Sequence, residues 1–286
     1  MKELLSSLHL DKGTASFIVI SFAFVALERL RPWRKGQRLF RNGILTDLAH
    51  ITFNGYFFRR LFYSAASVYL AVRFALAMEG LGVWNALNSA VMKGQPLWIQ
   101  FPVLFLSQDF LKYCIHNLLH RVPFLWQFHK VHHSVQIMDW IGNMRYHWLE
   151  VVVYNSLLFI PLSFLGFNPR LFYFIALFEI TIGHFNHSNI DFDIKWLGYV
   201  VNNPRFHIWH HCADDPQAVN KNFGIMLSLW DWIFRTAYMP EGRVPQVLGF
   251  PEIERYPSRF LTQQLFPFSI ISQIFRRTSI DVKAEG

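Results

Sequence analysis

The sequence predicts an all-α fold: a polytopic membrane bundle of about four to five spans with a cytoplasmic helical cap carrying a histidine-rich dinuclear metal site. Three observations predict it: blocks of apolar residues, a basic run directly after the first block, and two copies of one histidine pattern. Of 286 residues, 52% are hydrophobic, with 30 Phe and 10 Trp, richer than a typical soluble chain. A membrane-crossing helix needs about 20 mostly apolar residues. Candidates lie at Thr14–Leu27, Leu61–Ala77, Pro96–Cys114, Trp148–Phe167 and Leu171–Gly183. Asp47, His50, Arg59 and Arg60 interrupt the apolar stretch before the second candidate, so Ile44–Phe58 reads either as an interfacial segment or as part of a long tilted span.

Arg29, Arg31, Arg34, Lys35, Arg38 and Arg41 follow the first candidate span. The bias of basic residues toward the inner side makes this loop cytoplasmic. Topology thus accounts for the net charge of +8 without a nucleic-acid partner. Counting spans from that loop puts the turn Gly166-Phe167-Asn168-Pro169-Arg170 outside and every histidine cluster on the cytoplasmic side. The two cysteines, Cys114 and Cys212, then face a reducing compartment, which argues against a disulfide. The N-terminus lacks the features of a cleaved signal peptide, and the first span reads as a retained anchor.

Phe128-His129-Lys130-Val131-His132-His133 and Phe206-His207-Ile208-Trp209-His210-His211 repeat one pattern 78 positions apart. With 13 histidines in the chain, two chance occurrences of H-x-x-H-H are expected roughly once in three thousand such chains. On a helix the three imidazoles of each triple fall within about 100° of arc and can converge on a metal. A pair precedes each triple: His116 and His120, then His184 and His187. Ten imidazoles exceed the capacity of one metal and suit two. Such a centre supports hydrolysis or oxygen chemistry, and imidazole fits Zn, Cu, Fe or Ni. The chain divides into membrane-inserting helices at 1–95, a catalytic part at 96–240 and a tail at 241–286, where Phe260–Phe275 followed by Arg276 and Arg277 reads as an interfacial helix in preference to a sixth span.

His116-Asn117-Leu118-Leu119-His120, the two triples, Asn143-Met144-Arg145-Tyr146-His147-Trp148-Leu149-Glu150, His187-Ser188-Asn189, Asn203-Pro204-Arg205, Asn222-Phe223-Gly224 and Leu229-Trp230-Asp231 resemble the fatty acid hydroxylase and sterol desaturase family over about Asp109 to Ala237. The resemblance implies a membrane-integral, nonheme diiron, O2-dependent oxidoreductase acting on a lipid. Its metal ligands would be His116, His120, His129, His132, His133, His184, His187, His207, His210 and His211, with Zn able to replace Fe in a structure. The expected reaction is C–H hydroxylation of a fatty acyl, sterol or related lipid; desaturation and ether-lipid oxygenation belong to the same family. This chain has Phe234-Arg235-Thr236 where the family usually has Phe-Gly-Thr.

Asp109, His147, Glu150 and Asp231 complete the expected site. Asp109 stands out because an ionisable group inside a span is costly; it lies seven residues before His116 and could orient an imidazole, pair with Lys112 or make an ordinary interhelical hydrogen bond. Glu179 raises the same question. His147 reads as a support for the ligands, held by Arg145 or Glu150, in preference to a ligand itself. Asp231 reads as a residue supporting the site, while Asp214 and Asp215 read as loop and capping residues, and His9 and His50 as lone polar or hydrogen-bonded histidines. With no dinucleotide-binding fingerprint or fused haem module, electrons must come from a separate donor, cytochrome b5-like, ferredoxin-like or a pterin. The bacterial inner membrane is favoured over the endoplasmic reticulum. A membrane metal transporter or sensor is the rival from another class, but its ligands should sit near the bilayer midplane. A metalloprotease would need an H-E-x-x-H that the chain lacks.

Overall fold

Helix α1, Lys12–Leu30, opens a computed structural model that describes residues 11–88, 90–192 and 194–270. Asp11 caps it by accepting from Thr14 N at 2.9 Å, satisfying one of the free amides of a helix start. Among the described residues there is no strand; two isolated bridges, Pro32 with Ile190 and Cys212 with Leu248, are the only β pairing. His9 and the tail beyond residue 270, including Arg276 and Arg277, lie outside the described residues.

The interrupted stretch after α1 is continuously helical. Ile44–His50, a π-helical Ile51–Phe58 and Arg59–Gly80 run on as one element, α2. Asp47 and His50 are buried on it, so these two polar residues face protein where the sequence alone left a choice between interface and span.

Prolines punctuate residues 96–240. α3, Leu97–Arg121, stops at Val122, whose extended backbone (φ −90°, ψ 113°) precedes Pro123 at the first position of α4, Pro123–His133. A residue before proline is pushed out of the helical region, and the resulting corner folds α4 back on α3. Asn-Pro starts the next two long turns. Asn168 caps α6, Pro169–His187, and Asn203 caps α7, Pro204–His210, accepting from Arg205 N and Phe206 N. Between α4 and α6 runs α5, Trp148–Ser163, with a π-helical middle at Asn155–Phe159.

All five expected spans fall on helices, yet among the described residues only α1 is long and apolar enough to cross a membrane by itself. The others carry polar groups such as Asp109, Lys112 and Glu179, or break into π-helical segments. One apolar core lies between α3, α5 and α6, around Leu104, Leu119, Leu158, Leu171 and Ile175. A second, around Val135, Met138, Ile208, Trp209 and Leu248, backs α7. The helix at 260–270 docks against α2 and α4. Gln263 Oε1 meets His50 Nε2 at 3.0 Å, and Phe268 packs on Phe128 and His147.

Glu28, 1% exposed near the end of α1, accepts from Trp140 N and Asn189 N, both at 2.8 Å, joining the segment after α4 to the segment after α6. Glu28→Leu strips the acceptor from both amides and is expected to cost about 3 kcal/mol, whereas Glu28→Gln keeps an oxygen there and should stay within about 1 kcal/mol of the parent. Thermal unfolding in detergent checks the contrast, and equal losses in the two variants would contradict it.

Candidate metal centre

Nine histidines assemble into two adjoining groups, in each of which the ligand nitrogens lie within 4.8 Å of one another. One group holds His116, His120, His129, His133 and His210; the other holds His132, His187, His207 and His211. Each triple therefore divides. Its first and last residues, at i and i+4, join the preceding histidines of their own half, His116 and His120 in the first and His187 in the second, and its middle residue crosses to the other group. The groups touch where His133 stacks on His211, with centroids 4.5 Å apart.

His184, expected as the tenth ligand, is in neither group. Its Nδ1 accepts from Asn143 at 3.1 Å, its Nε2 meets Ser21 Oγ at 3.2 Å, and Phe17, Phe24 and Trp140 surround it. The reason is helical phase. His116 and His120 are four apart, but His184 and His187 are three apart, so His184 turns toward α1. The position four before His187 is Gly183, where a Cβ would lie 2.7 Å from Asn143 Nδ2, leaving no room for a ligand.

The ring orientations test whether metal fits. Backbone carbonyls accept from the Nδ1 atoms of His116 (Phe223 O, 2.8 Å), His132 (Arg145 O, 3.1 Å), His187 (Gly183 O, 2.8 Å) and His210 (Lys221 O, 2.8 Å). Each neutral ring then presents a bare Nε2. His132 Nε2 and His187 Nε2 face each other at 3.2 Å with no proton left to share, an arrangement that a cation between them resolves. Nitrogens held about 2.1 Å from one metal stand about 3.0 Å apart at a right angle and about 3.4 Å at the tetrahedral angle. The facing pairs His116 with His129, His133 with His120, and His207 with His187, all at 3.1 Å, fit that spacing. Buried His210 Nε2 has no hydrogen-bond partner, as suits a ligand atom. Burial pushes His116 down to about 3 and His132 to about 4, keeping the rings neutral and able to ligate at neutral pH.

The expected carboxylates take different places. Glu150 Oε1 lies 3.0 Å from His129 Nδ1 and orients that ring. Replacing it in Glu150→Gln is expected to speed iron loss to a chelator by about 10-fold or more, and an unchanged release rate would count against this role. Asp109 touches no imidazole. It accepts from Met226 N, Leu227 N and Trp230 Nε1, while Lys112 pairs with Glu179. Asp231 accepts from Phe223 N, Gly224 N and Thr236 Oγ1, and so holds the segment whose Phe223 carbonyl fixes His116. Both carboxylates act on the 223–227 loop, a link that for Asp109 spans more than a hundred residues of sequence.

His147 is held by neither Arg145 nor Glu150. Its Nδ1 caps α5 by accepting from Leu149 N at 3.0 Å, and its Nε2 donates to Gln264 O at 2.9 Å. His50 is fully buried and bonded to Tyr146 O and Gln263. Cys212 stays outside both groups, 3.1 Å from Asp214 Oδ1. Asp215 caps a short turn through Gln217 N. Arg235, in the place of the family's usual glycine, has φ +59°, a left-handed conformation that glycine adopts without penalty.

Residues 101–236, just under half of the chain, match the model of the fatty acid hydroxylase family. The ornithine lipid hydroxylase OlsE of Rhizobium tropici is 28% identical over 86% of this chain and 73% of its own length. Alkylglycerol monooxygenases of Caenorhabditis elegans and Xenopus tropicalis are 26% and 25% identical over 71% and 82% of this chain. This chain spans only 39% and 48% of those two proteins. No solved structure matches it.

Proposed function

We propose that this protein is an integral membrane, oxygen-dependent diiron lipid hydroxylase. The observation that carries the reading is the pair of adjoining imidazole groups with bare nitrogens facing one another. His116, His120, His129, His133 and His210 would hold one iron, and His132, His187, His207 and His211 the other. Two irons there would supply the O2-dependent oxidation that an unactivated C–H bond requires. The similarity to an ornithine lipid hydroxylase and to alkylglycerol monooxygenases supports a lipid as substrate.

The chain's own residues do the positioning. Backbone carbonyls of Gly183, Lys221, Phe223 and Arg145 set the ring orientations, Glu150 aligns His129, and the apolar core between α3, α5 and α6 keeps bulk water from the membrane side of the centre. The ligands on α3 and α6 occupy the last turns of those helices. With four to five spans and the basic run after α1 on the inner side, both ends open on the cytoplasmic face, where an acyl chain can enter from the bilayer and a separate electron donor from water. Residues 96–240 form the catalytic part, and the helix at 260–270 lies at the interface with Leu261 and Leu265 exposed. A bacterial inner membrane is the favoured location.

Labelled dioxygen supplied to cells with and without the gene tests the reaction. One labelled oxygen atom in a membrane lipid, present only with the gene, is the expected result. Release of an aldehyde from an ether lipid would instead favour the activity named for the alkylglycerol monooxygenases, and an alkene product would favour desaturation. Lipids unchanged in the presence of iron-loaded protein would contradict all three.

A further inference from the structure

We propose that Asp47 is a positioning residue for the four-histidine site, acting through Arg145 on His132. The inference rests on the metal-binding reading above and adds to it a residue far from the histidine motifs.

His132 is the histidine of the first triple that crosses to the second group. It lies in the last turn of α4, where carbonyls lack helical partners and the backbone is least restrained. Its orientation depends on an acceptor supplied from elsewhere, the Arg145 carbonyl, 3.1 Å from Nδ1. Arg145 is itself pinned by its guanidinium. Nη1 donates to Ser134 O and Ser134 Oγ at 3.0 and 3.1 Å, clasping the end of α4 two residues beyond His132. Nε donates to Asp47 Oδ1 at 2.5 Å. Removing Asp47 therefore leaves the Arg145 fork held on one side only.

Asp47 is fully buried, and its second oxygen pairs with Arg41 at 2.8 Å; Arg41 also binds Asp139 through two nitrogens at 2.6 and 2.5 Å. Two arginines and two aspartates thus form a closed, neutral set, none more than 6% exposed. Gly43, at φ +87°, brings the chain close enough that a Cβ there would lie 3.2 Å from Arg145 Nη2. Desolvation makes a buried ion cluster a poor source of net stability. What it gives is geometry, since a guanidinium accepts partners only in fixed directions. Arg41, Gly43 and Asp47 all precede the segment 101–236 that matches the family, so the part of the chain before the matched segment completes the support of a ligand inside it.

Iron per chain after anaerobic reconstitution, together with the rate of iron release to a chelator, tests the proposal. The parent protein is expected to hold two irons. Asp47→Asn should hold one firmly, through the five-histidine group, and release the other at least about 10-fold faster than the parent, with Asp47→Glu restoring part of the difference. Should Asp47→Asn fail to accumulate as folded protein, the charge-balanced Arg41→Gln/Asp47→Asn variant carries the comparison with the same expected result. Two irons released at the parent rate from either variant would overturn the proposal. So would loss of both irons together, which marks general destabilisation. A parent protein that binds no iron would instead overturn the metal-binding reading beneath it.

Discussion

Replacing His187 with alanine is expected to remove one of two irons and to reduce lipid oxidation at least about 10³-fold, the equivalent of several kcal/mol of lost stabilisation. His187 is central to the four-histidine group. Its Nε2 faces His132 at 3.2 Å and His207 at 3.1 Å, and Gly183 O fixes its ring. No other described side chain is placed to take over, because His184 three residues earlier points to Ser21 and Asn143. His184→Ala supplies the contrast. It should keep both irons and lose about 1–2 kcal/mol of stability through its lost packing and hydrogen bonds. Metal analysis of the two variants side by side decides the matter: iron lost with His184 and kept without His187 would reverse the assignment.

Gly224→Ala is expected to have the largest effect of any substitution outside the ligands. A Cβ there would lie 2.3 Å from Leu227 O and 2.9 Å from Asp231 Oδ2. Neither neighbour can give way easily. Leu227 O is backbone in a loop held by Asp109, and Asp231 is fixed by Phe223 N, Gly224 N and Thr236. The strain should cost about 3 kcal/mol or more. Because Phe223 O orients His116, weakened iron binding at the five-histidine group should accompany it. Thermal unfolding and iron content measure the two consequences; a variant with parent-like values for both would show that the loop yields where its contacts say it cannot.

The pairs and triples of histidine were legible because helix periodicity converts spacing directly into direction. The same rule, applied more strictly, separates the i, i+4 pair His116 and His120 from the i, i+3 pair His184 and His187. What periodicity does not encode is the exchange of His132 and His210 between groups, which depends on how α4 and α7 face each other across the centre. Nor does it encode the partners of the flagged carboxylates. Asp109 was conspicuous as a charge inside an apolar helix, yet its partners lie more than a hundred residues on, at Met226, Leu227 and Trp230. Asp47 interrupts an apolar stretch of the sequence, and Arg145, 98 residues on, carries no sign of being its partner, although in the fold the two pair in the interior. All five apolar blocks fold as helices. How many of them cross the membrane is less legible, since buried polar groups depress the apolar character of helices that pack against protein on one side.

Iron quantified per chain in anaerobically purified parent, His132→Ala and His210→Ala proteins tests the two-group centre most directly. About two irons in the parent, falling to about one in each variant, is the expected result, and the double variant should hold neither firmly. Metal that survives both substitutions unchanged, or a folded parent protein that binds none under reconstitution, would contradict the centre and with it the assignment of this protein as a diiron lipid hydroxylase.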